Sequence, residues 1–364
     1  MEIGFFCVRL RSFFEMAKRK ILYALARTRR FILKHFSKRT TLLILSVLIG
    51  ILGATAAVII KNLVHFTAKT LSHAFPESEV NYWYLILPII GILLTLLFVR
   101  RVIRDNLSHG VSIVLKSICK SDGKLRFHNT FSSMVSSAIT VGFGGSVGLE
   151  APIVLTGSAI GSNVARFFHL NAKQTTLLLA CGSTAAMAAI FKAPIAAIVF
   201  TFEVLMLDLT GSAILPLLLS AATGTVMSLL FLGHDVMFNI GSTQAFSISN
   251  IPFYIILGLL TGLISVYFLR LSRWIEKQLK RVKKVYVRAV IGGILLCSLI
   301  YIFPVFYGEG YDIINMLING NYPGIFYNSP LYDICANRVF FFLGIAGIIL
   351  LKVFATTFTT ASGG

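Results

Sequence analysis

The chain has 364 residues, of which 56% are hydrophobic and only 13% charged, with a net charge of +19 and a mean hydropathy of +0.84. Soluble domains carry about a quarter charged residues, so this composition excludes an ordinary soluble enzyme and points to lipid as the solvent. Ten-residue alternating strands of the kind that build a membrane barrel do not occur, and the fold class expected is an all-α polytopic membrane protein.

Residues 1–40 carry eleven Lys/Arg against Glu2 and Glu15. No apolar core followed by a small-residue cleavage site marks a secretory signal. The segment reads as a basic cytoplasmic N-terminal helix on the anionic leaflet, in preference to a nucleic-acid-binding arm. Apolar runs of bilayer-crossing length, about 20 residues, then recur at 41–60, 84–99, 251–269, 289–303 and 339–355. Basic residues gather at RRVIRD (100–105) and RLSRWIEKQLKRVKKVYVR (270–288), and the acidic stretches HAFPESEVNYW (73–83) and YGEGYD (307–312) lie one apolar run away from them, before the first and after the second. By the positive-inside rule the N-terminus and the basic segments are cytoplasmic and the acidic ones external. The five cysteines are scattered without a CxxC pair, so neither a disulfide nor a metal site is indicated.

Between about 109 and 206 the chain is broken into short pieces by Gly, Ser, Pro and Asn: near 130–141, 151–166, 173–190, and from Ala193-Pro194 to about 206. Broken helices at membrane depth survive only where protein or a watery cavity surrounds them, and in transporters they meet at the ion. The orientation argument divides the remainder into a first membrane repeat, 41–230, that starts inside, and a second, 249–364, that starts outside. These form an inverted-topology pair whose second half is incomplete.

GFGGSVGLEAP (142–152) contains the one acid of this region that needs explaining. Its glycines match neither a dinucleotide fingerprint nor a Walker A loop, and close helix packing accounts for glycines but not for Glu150. Pro152 suits the first turn of a helix, which sets a helix start at Leu149–Pro152. The free amides and dipole of a helix N-terminus attract anions. Glu150 is then a tethered anion that competes with a mobile one for the same place. SHGVSIVLKSI (108–118) brings a second helix start, with Ser108, His109 and Gly110, to approach that place from another side; a structural histidine is an equal reading of His109.

GFGGSVGLEAPIVLTGSAIGSNVARF resembles the signature segment of the CLC family of chloride channels and proton/chloride antiporters, ACGSTAAMAAIFKAPIAAIVFTFEVL (180–205) is similar to the family's next segment, and KVFATTFTTASGG (352–364) to the stretch before its G-x-F-x-P motif. The likeness covers about 40–364. It implies a CLC-type inverted-repeat fold with broken and re-entrant helices, a homodimer in the membrane, no cofactor, and chloride as the transported inorganic anion. The family's G-(K/R)-E-G-P gate falls on Gly148, Leu149, Glu150, Ala151 and Pro152, with Leu149 and Ala151 departing from it. Its G-S-G-x-P anion motif falls on Ser108, His109 and Gly110, with Ser112 in place of the proline. The inner proton-transfer glutamate of the antiporters falls on Val204; Glu203, about 100° around the helix, reads as a structural acid. G-x-F-x-P and the late pore tyrosine would lie beyond Gly364, so the sequence is expected to hold about half an anion site and to transport little by itself.

The resemblance therefore implies chloride transport gated by Glu150, channel-like because of Val204, in a bacterial inner membrane. A proton-coupled chloride or fluoride antiporter is the alternative. From other classes come a non-conducting scaffold and an intramembrane enzyme using Glu150 with His109, the latter disfavoured by the absence of HExxH and GxSxG.

Overall fold

The computed structural model describes residues 27, 30, 34–74, 83–104, 110–206, 211–233, 238, 247–320, 323–326, 329–335 and 337–364. Most of the N-terminal basic segment, together with Ser108 and His109, lies outside them. Helices account for nearly all of the described residues. In chain order they are α1 (Lys38–Ala74), α2 (Trp83–Phe98), α3 (Gly110–Lys120), α4 (Ser132–Gly142), α5 (Glu150–Phe167), α6 (Ala172–Phe191), α7 (Pro194–Leu205), α8 (Gly211–Leu232), α9 (Ile251–Leu279), α10 (Val285–Ile302), α11 (Tyr311–Ile318), α12 (Tyr332–Cys335) and α13 (Arg338–Ser362).

By length and composition seven of these are able to cross a bilayer: α1, α2 with its π-helical extension, α6, α8, α9, α10 and α13. The chain is an integral membrane protein. Four of the five apolar runs read from the sequence fall inside these helices, the run 289–303 passes the end of α10 by one residue, and α6 and α8 join them. α1 would extend about 55 Å at 1.5 Å per residue, well beyond the ~30 Å hydrocarbon core, so it runs oblique to the membrane or projects from it. α9 exposes nearly its whole length and buries only Ile275 and Leu279; it packs along α13, with Tyr267 donating to the Leu350 carbonyl at 3.3 Å and Ser272 bonded to Thr357 at 3.0 Å.

The broken region behaves as its glycines and prolines predict. α4 stops at Gly142, α5 starts at Glu150 and α7 starts at Pro194. α6 differs from its expected part as one of the short pieces. It is 20 residues long, but protein encloses it, with every residue from Leu178 to Ile190 buried. An Asn171–Gln174 capping box fixes its start, the Gln174 amide donating to Asn171 at 2.9 Å and the Asn171 amide to Gln174 at 3.3 Å. In lipid, which is as apolar as the side chains themselves, no hydrophobic force drives helices together, and they associate through close packing and polar contacts. Here Gly157 of α5 and Gly182 of α6 stack backbone on backbone, each occupying the place where the other's Cβ would stand. α8 adds hydroxyl bonds to α6 carbonyls: Ser220 to Cys181 at 2.7 Å and Ser228 to Ala189 at 2.5 Å.

Two apolar cores result. The larger joins α1 and α3 through α8, from Leu45 to Ala221. The smaller joins Ile92 and Leu96 of α2 to α10, α13 and the aromatic cluster Phe303, Phe306 and Phe326. The loop after α4 lies where these two cores meet. Gly182→Leu should separate α5 from α6 at a cost of at least ~1–3 kcal/mol, whereas Ser220→Ala removes one bond worth about 0.6 kcal/mol. Thermal denaturation in detergent should rank the two variants in that order, and equal midpoints would contradict the backbone stacking.

Candidate functional site

The segment 143–149 between α4 and α5 is shaped by its own glycines and then held by distant residues. Gly144 adopts φ +90, and the Tyr307 ring fills the space beside its Cα, so a side chain there would meet both backbone strain and a filled site. The Gly145 amide donates to the Thr140 carbonyl at 2.8 Å, closing the end of α4. From α13, Thr359 accepts from the Ser146 amide at 3.2 Å and the Lys352 ammonium donates to the Ser146 hydroxyl at 2.8 Å. Lys352 also lies 5.9 Å from the centre of the Phe306 ring, within reach of a cation–π contact.

Glu150 is the first residue of α5, after Leu149 at the N-cap, and Pro152 lies in the first turn, where its missing N–H costs no helical bond. The Glu150 carboxyl doubles back over Gly148, where a Cβ would collide with both of its oxygens. The acid therefore covers the approach to its own helix start. The Tyr311 hydroxyl, 161 positions along the chain, donates a hydrogen bond to Oε1 of Glu150. Phe191 and Phe238 pack edge-on against the Tyr311 ring, with centroids 6.3 and 5.8 Å away. Gly110, at the start of α3, abuts the Ala151 backbone, its would-be Cβ lying 2.6 Å from the Ala151 carbonyl oxygen.

Thus Gly110, Gly148, Leu149, Glu150, Ala151 and Pro152 lie together at the start of α5, while Ser108 and His109 lie outside the described residues. Val204, on α7, packs half-buried against the larger core, and its neighbour Glu203 is exposed.

Four groups of the site escaped sequence reasoning: Lys61 on α1, Glu309 and Tyr311 near the start of α11, and Lys352 on α13. With Glu150, three of them (Lys61, Glu309 and Tyr311) line a cavity of about 10 Å³ for water centres, closed by Leu149, Ile153, Ile190 and Phe191, which is room for about one water. Glu309 and Tyr311 belong to YGEGYD, a segment that reads only as an acidic loop. Lys352 did carry a signal, because a cation in the middle of an apolar run is a functional candidate by default. Burial and then the charge of Glu150 push the Glu309 carboxyl up to about 7; Lys61 opposes the rise and Asp312 adds to it. Burial and the bond to Glu150 also push the Tyr311 phenol well above its ordinary range, so Tyr311 remains a donor at any working pH.

The family profile described as voltage gated chloride channel matches residues 90–364. The chloride channel protein CLC-e of Arabidopsis thaliana is 27% identical over 341 residues, covering 87% of this chain and 45% of the relative. The voltage-gated ClC-type chloride channel ClcB of Escherichia coli is 24% identical over 246 residues, covering 67% and 54%. The chain thus spans about half the length of these two curated relatives. Among solved structures, the fold is similar to a CLC-type fluoride/proton antiporter, with TM-score 0.69, 26% identity, and coverage of 89% of this chain and 76% of that one. A slow cyanobacterial Cl⁻/H⁺ antiporter gives TM-score 0.69 at 18% identity, covering 90% and 76%, a likeness of fold alone.

Gly144→Ala should destabilise the protein by at least about 1–2 kcal/mol, the order of a left-handed backbone penalty, on top of the clash with Tyr307. In a Tyr307→Ala background the clash is gone, so a double-mutant cycle on melting free energies should return a coupling above ~0.5 kcal/mol.

Proposed function

Since the chain belongs to the voltage-gated chloride channel family, we propose that it conducts anions, chloride first among them, past a gate formed by the Glu150 carboxylate. The observation that carries this reading is the carboxyl of Glu150 folded over Gly148 at the start of α5 and tied there by the Tyr311 hydroxyl. An anion attracted to the same helix start competes with it. Protonating Glu150, or breaking its tie to Tyr311, opens the approach. Lys352 on Ser146 supplies a fixed positive charge beside the loop, at a site whose family-type cation position is occupied by Leu149.

Passive conduction is the finer reading, supported by the apolar Val204 in α7 where an inner proton acid would stand. Coupled exchange is the second reading, favoured by the likeness to a fluoride/proton antiporter. The proposal includes a homodimer in a bacterial inner membrane with its N-terminus in the cytoplasm; the basic residues at the span ends and the family resemblance support it. The transport itself belongs to a non-enzymatic protein whose only small-molecule partner is the ion.

In the full-length protein reconstituted into liposomes, Glu150→Gln should raise chloride flux and remove its dependence on pH. Unchanged pH dependence would sink the gating role. Tyr311→Phe removes a bond to a charged acceptor, worth ~1.5–3 kcal/mol. Apparent chloride affinity by calorimetry should therefore rise about tenfold or more. Proton movement recorded alongside chloride flux separates the two readings: uphill proton transport driven by a chloride gradient would establish exchange and overturn passive conduction.

A further inference from the structure

Glu309 is the acid lining the cavity to which the gating scheme assigns no part. It stands between Gly308 and Gly310, whose φ values of 74 and 88 turn the chain twice within three residues. These turns bring a half-buried carboxyl into the cavity that Glu150 also lines. Among the described residues neither a hydrogen bond nor an ion pair occupies that carboxyl. The groups facing it are Glu150 from the start of α5, Lys61 from α1, and Tyr311 and the exposed Asp312 from α11. The Lys352 ammonium of α13 lies close by, 3.6 Å from where a Cβ on Gly310 would stand. The position therefore holds three acids against two cations around a space with room for about one water.

We propose that Glu309 is the proton-exchange partner of Glu150, taking a proton from the aqueous phase on its side of the membrane and passing it to the gate through their shared cavity. The step balances as a single proton transfer. The O–H bond of the Glu309 acid breaks as one forms on the Glu150 carboxylate, and Glu309 is left ionised until water reprotonates it. Once neutral, Glu150 offers the Tyr311 hydroxyl an uncharged acceptor, and such a bond is roughly half as strong as one to a carboxylate. The tie over Gly148 then loosens. The environment of Glu309 suits the task, because burial and the neighbouring Glu150 charge raise its pKa to about 7, and a proton-transfer group works best with a pKa near the operating pH. Above that value Glu309 is ionised and adds a second negative charge beside the gate; below it, Glu309 is neutral and can donate.

The inference rests on the gating reading of Glu150, and the experiment keeps the two apart. The full-length protein, with Glu309→Gln, Glu309→Asp and Glu150→Gln, is reconstituted in chloride-loaded liposomes, and efflux is followed against pH. Wild-type flux should rise as pH falls through about 7. Glu309→Gln should lose that rise, standing about tenfold below wild type one pH unit under the midpoint, and Glu309→Asp should restore it. A merely structural role would lower flux equally at every pH. A wild-type pH profile in Glu309→Gln, with Glu150→Gln insensitive to pH, overturns the relay and leaves the gate standing; pH-sensitive flux in Glu150→Gln overturns the gate, and the relay with it. Infrared difference spectra report independently of flux. A protonated-carboxyl band titrating near neutral pH should be absent from Glu309→Gln, and its persistence there would also overturn the proposal.

Discussion

The hydrogen bond from Tyr311 to the Glu150 carboxylate joins stretches of chain 161 residues apart, and the shape of the site depends on it. Glu150 alone, at the start of α5, has several rotamers open to it. Under the Tyr311 hydroxyl its carboxyl is held against Gly148, over its own helix start. The same clamp is repeated one layer away, where Ser146 meets Thr359 and Lys352 and where Gly144 receives the Tyr307 ring. A loop of seven residues with little side-chain mass of its own thereby takes one conformation, imposed by α13 and by the turn before α11.

Charge in a medium of low dielectric is the second constraint. Isolated ions there carry a desolvation cost of several kcal/mol each, so charged residues inside membrane proteins gather around partners or pathways. Lys61 and Lys352 approach the same small volume as Glu150 and Glu309, while Asp312 stays exposed at its edge. Such a cluster is held together by mutual compensation, and a change of charge on one member is felt by the rest. Under the proposed scheme, an anion or a proton arriving at Glu150 acts on a set that is already closely balanced.

The helices around the site are packed by contact more than by apolar mass. α5 and α6 meet through Gly157 and Gly182 with no side chain between them, and Ser220 and Ser228 bond directly to α6 carbonyls. This brings the start of α5, and with it the Glu150 carboxyl, to a fixed depth, as the gating proposed for it requires.

Local pattern was enough to read five of the seven spans, the breaks of α4, α5 and α7 at glycine and proline, and Glu150 at a helix start, because helix length, capping chemistry and proline geometry act within a few residues. The same short-range rules placed Gly148, Leu149, Ala151 and Pro152 beside it, and motif spacing added Gly110. They were silent on Tyr311 and Glu309, which read as ordinary members of an acidic loop, and on the pairing of Lys352 with Ser146. Those contacts exist only because two separate cores close against each other at the loop after α4. Which side chains face one another across such a seam is decided by the packing of whole helices, and no periodicity in the chain records it.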